Sequence, residues 1–249
     1  MNQNSDHKEW LVIVNPNAGT GKGEKDWDKI SALLKKEDLP STVKFTERKC
    51  QAIIFAQEGI AAGFRKIITV GGDGTLNEVV NGVFSNNVCP TNDVALALIP
   101  VGTGNDWGRM FGIPSDYEKA IKIIGANKQM THDIGLISFF NGTEKKSRYF
   151  INIAGLGFES AVVRRTNIQK DKGRGGKLIY FYSLLMSLIT YKNTKAEVVI
   201  DGFSGNCKLE TRIRRTPCPD RRESKDKQWR GLCSDWPYWR WKDDSAQAA

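Results

Sequence analysis

The chain is predicted to be an α/β protein, with a doubly wound parallel sheet in residues 1–130 and a second, mainly β domain in residues 131–210. Three observations carry this. Short apolar runs alternate with helical patterns through the first 125 residues, as parallel strands joined by crossover helices require. Three glycine-rich stretches each follow directly on an apolar run, the place where doubly wound sheets present ligand-binding loops. Around residue 130 this rhythm gives way to strand-like runs joined by a hairpin-type turn.

The elements follow in order. Trp10–Val14, Thr42–Thr46, Lys66–Val70 and Val94–Ile99 are the strand candidates of the first domain. Trp27, Ile30, Leu33 and Leu34 recur at spacings of three and four, as do Leu76, Val79, Val80, Val83 and Phe84, so each set predicts a helix. Tyr117–Ile124 predicts a further short helix. Beyond it, His132–Phe139 and Arg148–Ile153 predict two strands joined through Asn141-Gly142, and Ala196–Asp201 predicts a third. LIYFYSLLMSLITY (178–191) is 14 residues long, short of the roughly 20 that span a bilayer, and is read as a packed helix rather than a membrane-facing one. Thr75 and Glu78 give the Thr-x-x-Glu spacing of a capping box at the head of the Leu76–Phe84 helix.

Residues 211–249 break with the rest. Ile213 and Leu232 are their only Ile, Leu, Val, Met or Phe, while Trp229, Trp236, Trp239 and Trp241 are four of the chain's seven tryptophans. Such a composition supplies neither strands nor an amphipathic helix, and an aberrant, disordered tail is expected. The tail also holds ten basic and six acidic residues, leaving only +5 of the net +9 to the other 210 residues. With no nucleic-acid fold signature in that body, DNA and RNA are not expected partners. The five cysteines are odd in number and form no C-x-x-C pair, which argues against a disulfide framework and a zinc site. Met1–Glu9 is polar rather than a signal peptide, so a cytoplasmic location is expected.

The chemistry lies in the three loops NPNAGTGKG (15–23), GGDGT (71–75) and PVGTGND (100–106). Glycine lets backbone N–H groups converge on phosphate oxygens at the head of a helix, so each loop reads as part of a phosphate cradle. Neither common nucleotide fingerprint is met: Pro16 stands where a P-loop needs glycine, and Trp107 where the dinucleotide pattern needs its last one. Asp73 in such a cradle would be repelled by phosphate unless a cation intervened, and Mg²⁺ takes one or two carboxylates together with phosphate oxygens. Alternatively, Asp73 shapes a turn; the other two loops favour the Mg²⁺ reading. Asn15, Thr103, Asn105 and Asp106 are polar groups at strand ends where a ligand meets them, whereas His7 and His132 read as incidental.

With VGGDGTLNEVVNG, ALIPVGTGNDWGRMFGIP, FINIAGLGFESAVV and GRGGKLIYFY, these loops resemble the soluble bacterial diacylglycerol kinase catalytic family, over roughly residues 10–205. The resemblance implies a nucleotide-binding domain, a β-sandwich domain and a lipid headgroup held between them. It implies an ATP site lined by Asn15, Gly71, Gly72, Asp73, Gly74, Thr75, Thr103, Gly104 and Asn105, with Asp73 meeting Mg²⁺ directly or through its waters. Lys22, Asp106 and Lys177 match family positions in a charged network near the phosphates. The implied reaction is transfer of the ATP γ-phosphoryl group to a lipid hydroxyl such as that of diacylglycerol, at the membrane surface. The family's general-base glutamate has no counterpart here, and neither Glu210 nor Glu223 is assigned to that role. A non-catalytic nucleotide-binding fragment is therefore the alternative. An NAD kinase, which shares the GGDGT idea but not the other loops, is a more distant one. Loss of the family's later strands predicts a truncated second domain with exposed apolar surface.

Overall fold

Trp10, Val12 and Val14 point to one side of strand β1 (Trp10–Val14) and Leu11 and Ile13 to the other, and the two sets lie in separate buried cores. A strand apolar at every position is thus buried on both faces, as the centre of a parallel sheet demands. The computed structural model describes residues 9–102, 104–141, 143–155, 157–171, 177–191, 195–200 and 203–208. The tail, His7 and Thr103 lie outside them.

After β1 come helices α1 (Ala18–Lys25) and α2 (Trp27–Lys36), strand β2 (Ser41–Phe45), helix α3 (Gln51–Ala61), strand β3 (Lys66–Gly71) and helix α4 (Asp73–Phe84). Strand β4 (Ala95–Pro100), the short helix α5 (Asp106–Met110) and helix α6 (Tyr117–Gly125) follow. The four strands form one parallel sheet in the order β2-β1-β3-β4. Because the chain steps from β1 outward to β2 and then back across to β3, the order reverses between β1 and β3. The loops after these two strands flank the crevice where such sheets bind ligands.

Ile30 and Leu34 of α2 with Ile121 and Ile124 of α6 cover one face of the sheet, against Val12, Val14, Ile68, Val70 and Ile99. Ala52, Ala56 and Ile60 of α3 with Val79 and Val83 of α4 cover the other, against Leu11, Ile13 and Ile67. Fully burying each large aliphatic side chain stabilises the fold by about 1.5–3 kcal/mol. The four strands expected in the first domain fall within a residue of β1–β4 as observed.

The chain divides into two compact units, one of 1–153 with 174–178, the other of 154–173 with 179–249. In the first unit, β5 (Gly135–Asn141) and β6 (Glu144–Phe150) form an antiparallel hairpin running from Gly135 opposite Phe150 to Asn141 opposite Glu144. β5 starts later than expected from sequence, and β6 both starts and ends earlier. Pairing Asn141 with Glu144 draws the charged stretch Glu144–Ser147 into the ladder, so the turn rather than apolarity sets the register.

The second unit holds α7 (Phe158–Asp171), most of α8 (Lys177–Thr190) and the antiparallel pair β7 (Lys195–Ile200) and β8 (Phe203–Lys208). Arg165 donates to the Thr190 hydroxyl at 2.9 Å, and the rings of Phe158 and Tyr191 meet edge to face. The expectation of a packed α8 needs correction. Ser183 and Ser187 form its buried side, while Phe181, Leu188 and Ile189 are exposed, Ile189 to 73%. The helix is apolar almost all round; among its described side chains the two serines are the fully buried ones, and Ile179, Leu184 and Met186 are partly covered. Among the described residues, no helix is long and apolar enough to cross a membrane.

Candidate active site

The three glycine-rich loops follow the C-terminal ends of β1, β3 and β4 and are bonded to one another. Asn15, directly after β1, donates its backbone N–H to Val70 O at 2.9 Å and its side-chain Nδ2 to the Thr75 hydroxyl at 2.9 Å, joining the first loop to the second. Val101 and Gly102, after β4, both donate N–H to Gly71 O, at 2.9 and 3.2 Å, joining the third loop to the second. A Cβ on Gly19 would fall 1.9 Å from Val101 O, so the first and third loops also touch, through a position only glycine fits. Gly19, Thr20 and Gly21 are left-handed in succession, with φ of 62°, 65° and 85°. That run turns the chain back at the head of α1 rather than letting it enter a helix directly, the kind of concave backbone that suits an anion.

Asp73 sits at the junction. Its Oδ2 accepts from Asp106 N at 2.9 Å and its Oδ1 from Trp107 N at 3.1 Å, so the second loop caps the start of α5 in the third. A Cβ on Gly104 would stand 3.3 Å from Oδ2 of Asp73 and 3.8 Å from Oδ2 of Asp106, so two carboxylates converge over a glycine. Asp106 is paired in turn with Arg109. Asn105 adopts φ 54° and donates Nδ2 to Gly102 O at 2.7 Å, while its Oδ1 is buried without a partner. The Trp107 indole N–H is likewise buried and unpaired.

These features fit a Mg²⁺-bound phosphate group. Two carboxylates with free lone pairs suit a cation that keeps phosphate oxygens and water as its remaining ligands. The orphaned Asn105 oxygen suits a water or hydroxyl donor. Among the described residues no group of three or more His, Cys, Asp or Glu gathers, at this site or any other, so a cation here would rely on phosphate and water for most of its ligands.

Asn15, Gly71, Gly72, Asp73, Gly74, Thr75, Gly104, Asn105 and Asp106 are thus brought together at the strand ends. Lys22 is exposed on α1. Lys177 opens α8, and its side chain lies outside the described residues. The capping box is not formed. Gly72 stands at the N-cap of α4 with no side-chain cap bond, and Thr75, one turn in, is engaged by Asn15 instead. Glu78 reaches across to α3, where its Oε1 accepts from Cys50 N at 3.0 Å.

The model for the diacylglycerol kinase catalytic domain matches residues 9–137, just over half of the chain and all three loops. The chain belongs to the diacylglycerol kinase catalytic domain family. A diacylglycerol kinase of Staphylococcus carnosus is 29% identical over 204 residues, covering 81% of this chain and 62% of that protein. A probable YegS-like lipid kinase of Klebsiella pneumoniae is 30% identical over 193 residues, covering 78% and 60%. Among solved structures, a diacylglycerol kinase from Bacillus anthracis superposes with a TM-score of 0.58 at 27% identity, over 81% of this chain and 61% of that one. The chain therefore spans about three fifths of the length of these diacylglycerol kinase family relatives.

Sequence reasoning missed several groups around the site. His132, read as incidental, packs 5.0 Å from the Phe111 ring and 6.0 Å from that of Trp107, next to the third loop. Tyr117 donates its hydroxyl to Asp26 at 2.7 Å, tying α6 to the junction of α1 and α2. Asn77 and Asn81, polar residues inside an otherwise apolar helical pattern, were the one legible signal of a further contact.

Proposed function

We propose that the chain binds ATP with Mg²⁺ across its three strand-end loops and transfers the γ-phosphoryl group to a lipid hydroxyl such as that of diacylglycerol. The observation that carries this reading is the convergence of Asp73 and Asp106 over Gly104, at the point where all three loops are bonded together. Gly72, Gly74 and the left-handed run at Gly19–Gly21 offer backbone to the phosphates, and Asn15 holds Thr75 in place beside them. Asp73 and Asp106, with Lys22, Thr103 and Lys177 as further candidates, would hold the metal and the triphosphate. Bound Mg²⁺ would neutralise charge on the transferring group. In the reaction the lipid hydroxyl oxygen would bond to the γ-phosphorus and release its proton to water, while the bond from the γ-phosphorus to the bridging β-phosphate oxygen breaks and ADP leaves. Such transfer depends on alignment and charge stabilisation more than on covalent help from the protein.

The antiparallel pairs β5–β6 and β7–β8, each within its own unit, support reading the residues after 130 as richer in antiparallel β structure than the nucleotide-binding sheet, in a region that receives the lipid. The substrate class implies work at a membrane surface from the cytoplasmic side. Nucleotide binding without transfer is the second reading, favoured by the use of both Asp73 oxygens as backbone acceptors. Incubation with γ-labelled ATP, Mg²⁺ and diacylglycerol in mixed micelles tests the proposal. Labelled lipid that disappears with Asp73→Asn supports transfer. Nucleotide binding without labelled lipid leaves the second reading, and phosphorylation of NAD instead would redirect it to the NAD kinases.

A further inference from the structure

Asn77 and Asn81 stand one turn apart on α4, the helix that begins with Asp73, and both grip the backbone of the hairpin. Asn81 Oδ1 accepts from Tyr149 N at 3.0 Å and its Nδ2 donates to Tyr149 O at 2.9 Å, so one side-chain amide pairs with both polar groups of a single residue, as a neighbouring strand would. The same Nδ2 donates to Asn77 O at 2.7 Å. Asn77 Oδ1 accepts from Ile151 N at 3.1 Å, just past the end of β6. The Phe84 and Tyr149 rings meet at 5.0 Å, and Ile151 is buried in a cluster with Leu76 and Val80 of the same helix. Asparagine is a poor helix former, and Asn81 is only 9% exposed in the middle of α4. An apolar residue there would leave the partly buried Tyr149 N–H and C=O without these partners.

We infer that Asn77 and Asn81 are positioning residues that lock β6 to α4 in a single register and so tie the loop carrying Asp73 and Thr75 to the hairpin, two residues before the chain leaves the first unit. α4 is held rigidly on its other side, where a Cβ on Gly82 would fall 2.5 Å from Ile53 O of α3. A shift of the hairpin therefore reaches the head of α4 rather than being absorbed along it. The inference concerns how the proposed nucleotide loop is held, and it rests on the proposed function only for the ligand used to probe it.

The test is hydrogen exchange on the full chain, with and without Mg²⁺ and a non-hydrolysable ATP analogue, for the wild type, Asn77→Ala, Asn81→Ala and Asn81→Asp. Without ligand, cutting the clamp should speed exchange at Tyr149 and Ile151 by roughly tenfold, the scale of one net hydrogen bond, and should speed it in residues 71–75 as well. With the analogue, the wild type should gain protection in both the loop and residues 144–151, and Asn81→Ala in the loop alone. If the chain turns over lipid, kcat should fall by up to roughly 10²-fold with little change in KM for ATP, as misalignment predicts.

Asn81→Asp adds a readout that a mere packing defect lacks. Its carboxylate, buried against two carbonyl oxygens, repels them when ionised and donates to Tyr149 O when protonated, so the coupling should return as pH falls. Should Asn81→Ala not fold, recovery of Asn81→Asp at low pH decides the matter. Loop exchange unchanged by all three substitutions, or analogue protection still reaching the hairpin in Asn81→Ala, would overturn the inference. A wild type that binds no analogue would count against the proposed function alone, and the clamp would then stand or fall on the exchange rates without ligand.

Discussion

The backbone N–H of Asp106 donates to Oδ2 of Asp73 at 2.9 Å, so the carboxylate of the second loop organises the third. Asp73 thus carries two duties, as cap and as proposed metal partner, and two substitutions separate them. Asp73→Ala removes both acceptors and should destabilise the chain by about 0.5–2 kcal/mol, the cost of losing a helix cap. Asp73→Asn keeps one acceptor and should lose less stability while abolishing the Mg²⁺ dependence of nucleotide binding. Denaturant midpoints set beside binding isotherms for the two variants check both halves.

Gly23 and Gly74 should respond in opposite ways. A Cβ on Gly23 would meet the backbone oxygen Asn15 O at 2.0 Å, which cannot swing aside as a side chain could, whereas a Cβ on Gly74 meets nothing within 4 Å. Gly23→Ala should therefore cost about 1–3 kcal/mol, as overpacking does. Gly74→Ala, within the first turn of α4, should leave stability equal or raise it by about 0.5–1 kcal/mol. Any loss of ATP affinity in Gly74→Ala then reports a ligand lying against that backbone, and calorimetry alongside thermal melts distinguishes the two effects.

Burial, reinforced by the hydrogen bond to Asp26 and by its charge, holds the Tyr117 hydroxyl well above its ordinary 10.0. The folded chain keeps this proton more tightly than the unfolded chain does. The stabilisation is therefore complete below pH 10 and is lost as pH rises from there toward the raised value. Tyrosinate absorbance should show one residue lagging behind the rest. Tyr117→Phe should remove that lag and cost about 1 kcal/mol.

His132 works at the other end of the scale. Burial lowers its pKa from 6.5, and the bond to the Asp133 carbonyl opposes that only in part. The unfolded chain then takes up this proton first, so stability should decline as pH falls from 6.5 through the lowered value. His132→Phe, which suits the surrounding Trp107 and Phe111 rings, should flatten this part of the stability profile in denaturation series run at several pH values.

The parallel sheet was legible because β1 and β3 are buried on both faces, so β1 reads as an unbroken apolar run and β3 as one interrupted only by Thr69. The candidate site was legible because strand ends and glycine loops are contiguous in sequence. Helix α3 was not, since its buried positions are the small Ala52, Ala56 and Gly59 beside Ile60, while Ile54 is 41% exposed. α7 mixes charges with its apolar residues and gave no clear stripe. Glu78 misled for a different reason. Thr-x-x-Glu spacing is local, but the approach of α3 to α4 placed the unpaired Cys50 N–H within its reach. The Asp73 cap and the Asn81 clamp join residues 33 and 68 apart in sequence, and only the assembled fold brings them together.

We propose above all that the loops after β1, β3 and β4 form a single Mg²⁺-nucleotide phosphate site organised by Asp73. Isothermal titration of the full chain with ATP, with and without Mg²⁺, for the wild type and Asp73→Asn tests it most directly. Binding should require Mg²⁺ and weaken at least about tenfold in Asp73→Asn, which corresponds to about 1.4 kcal/mol. Absence of binding, or binding indifferent both to Mg²⁺ and to the substitution, would contradict it.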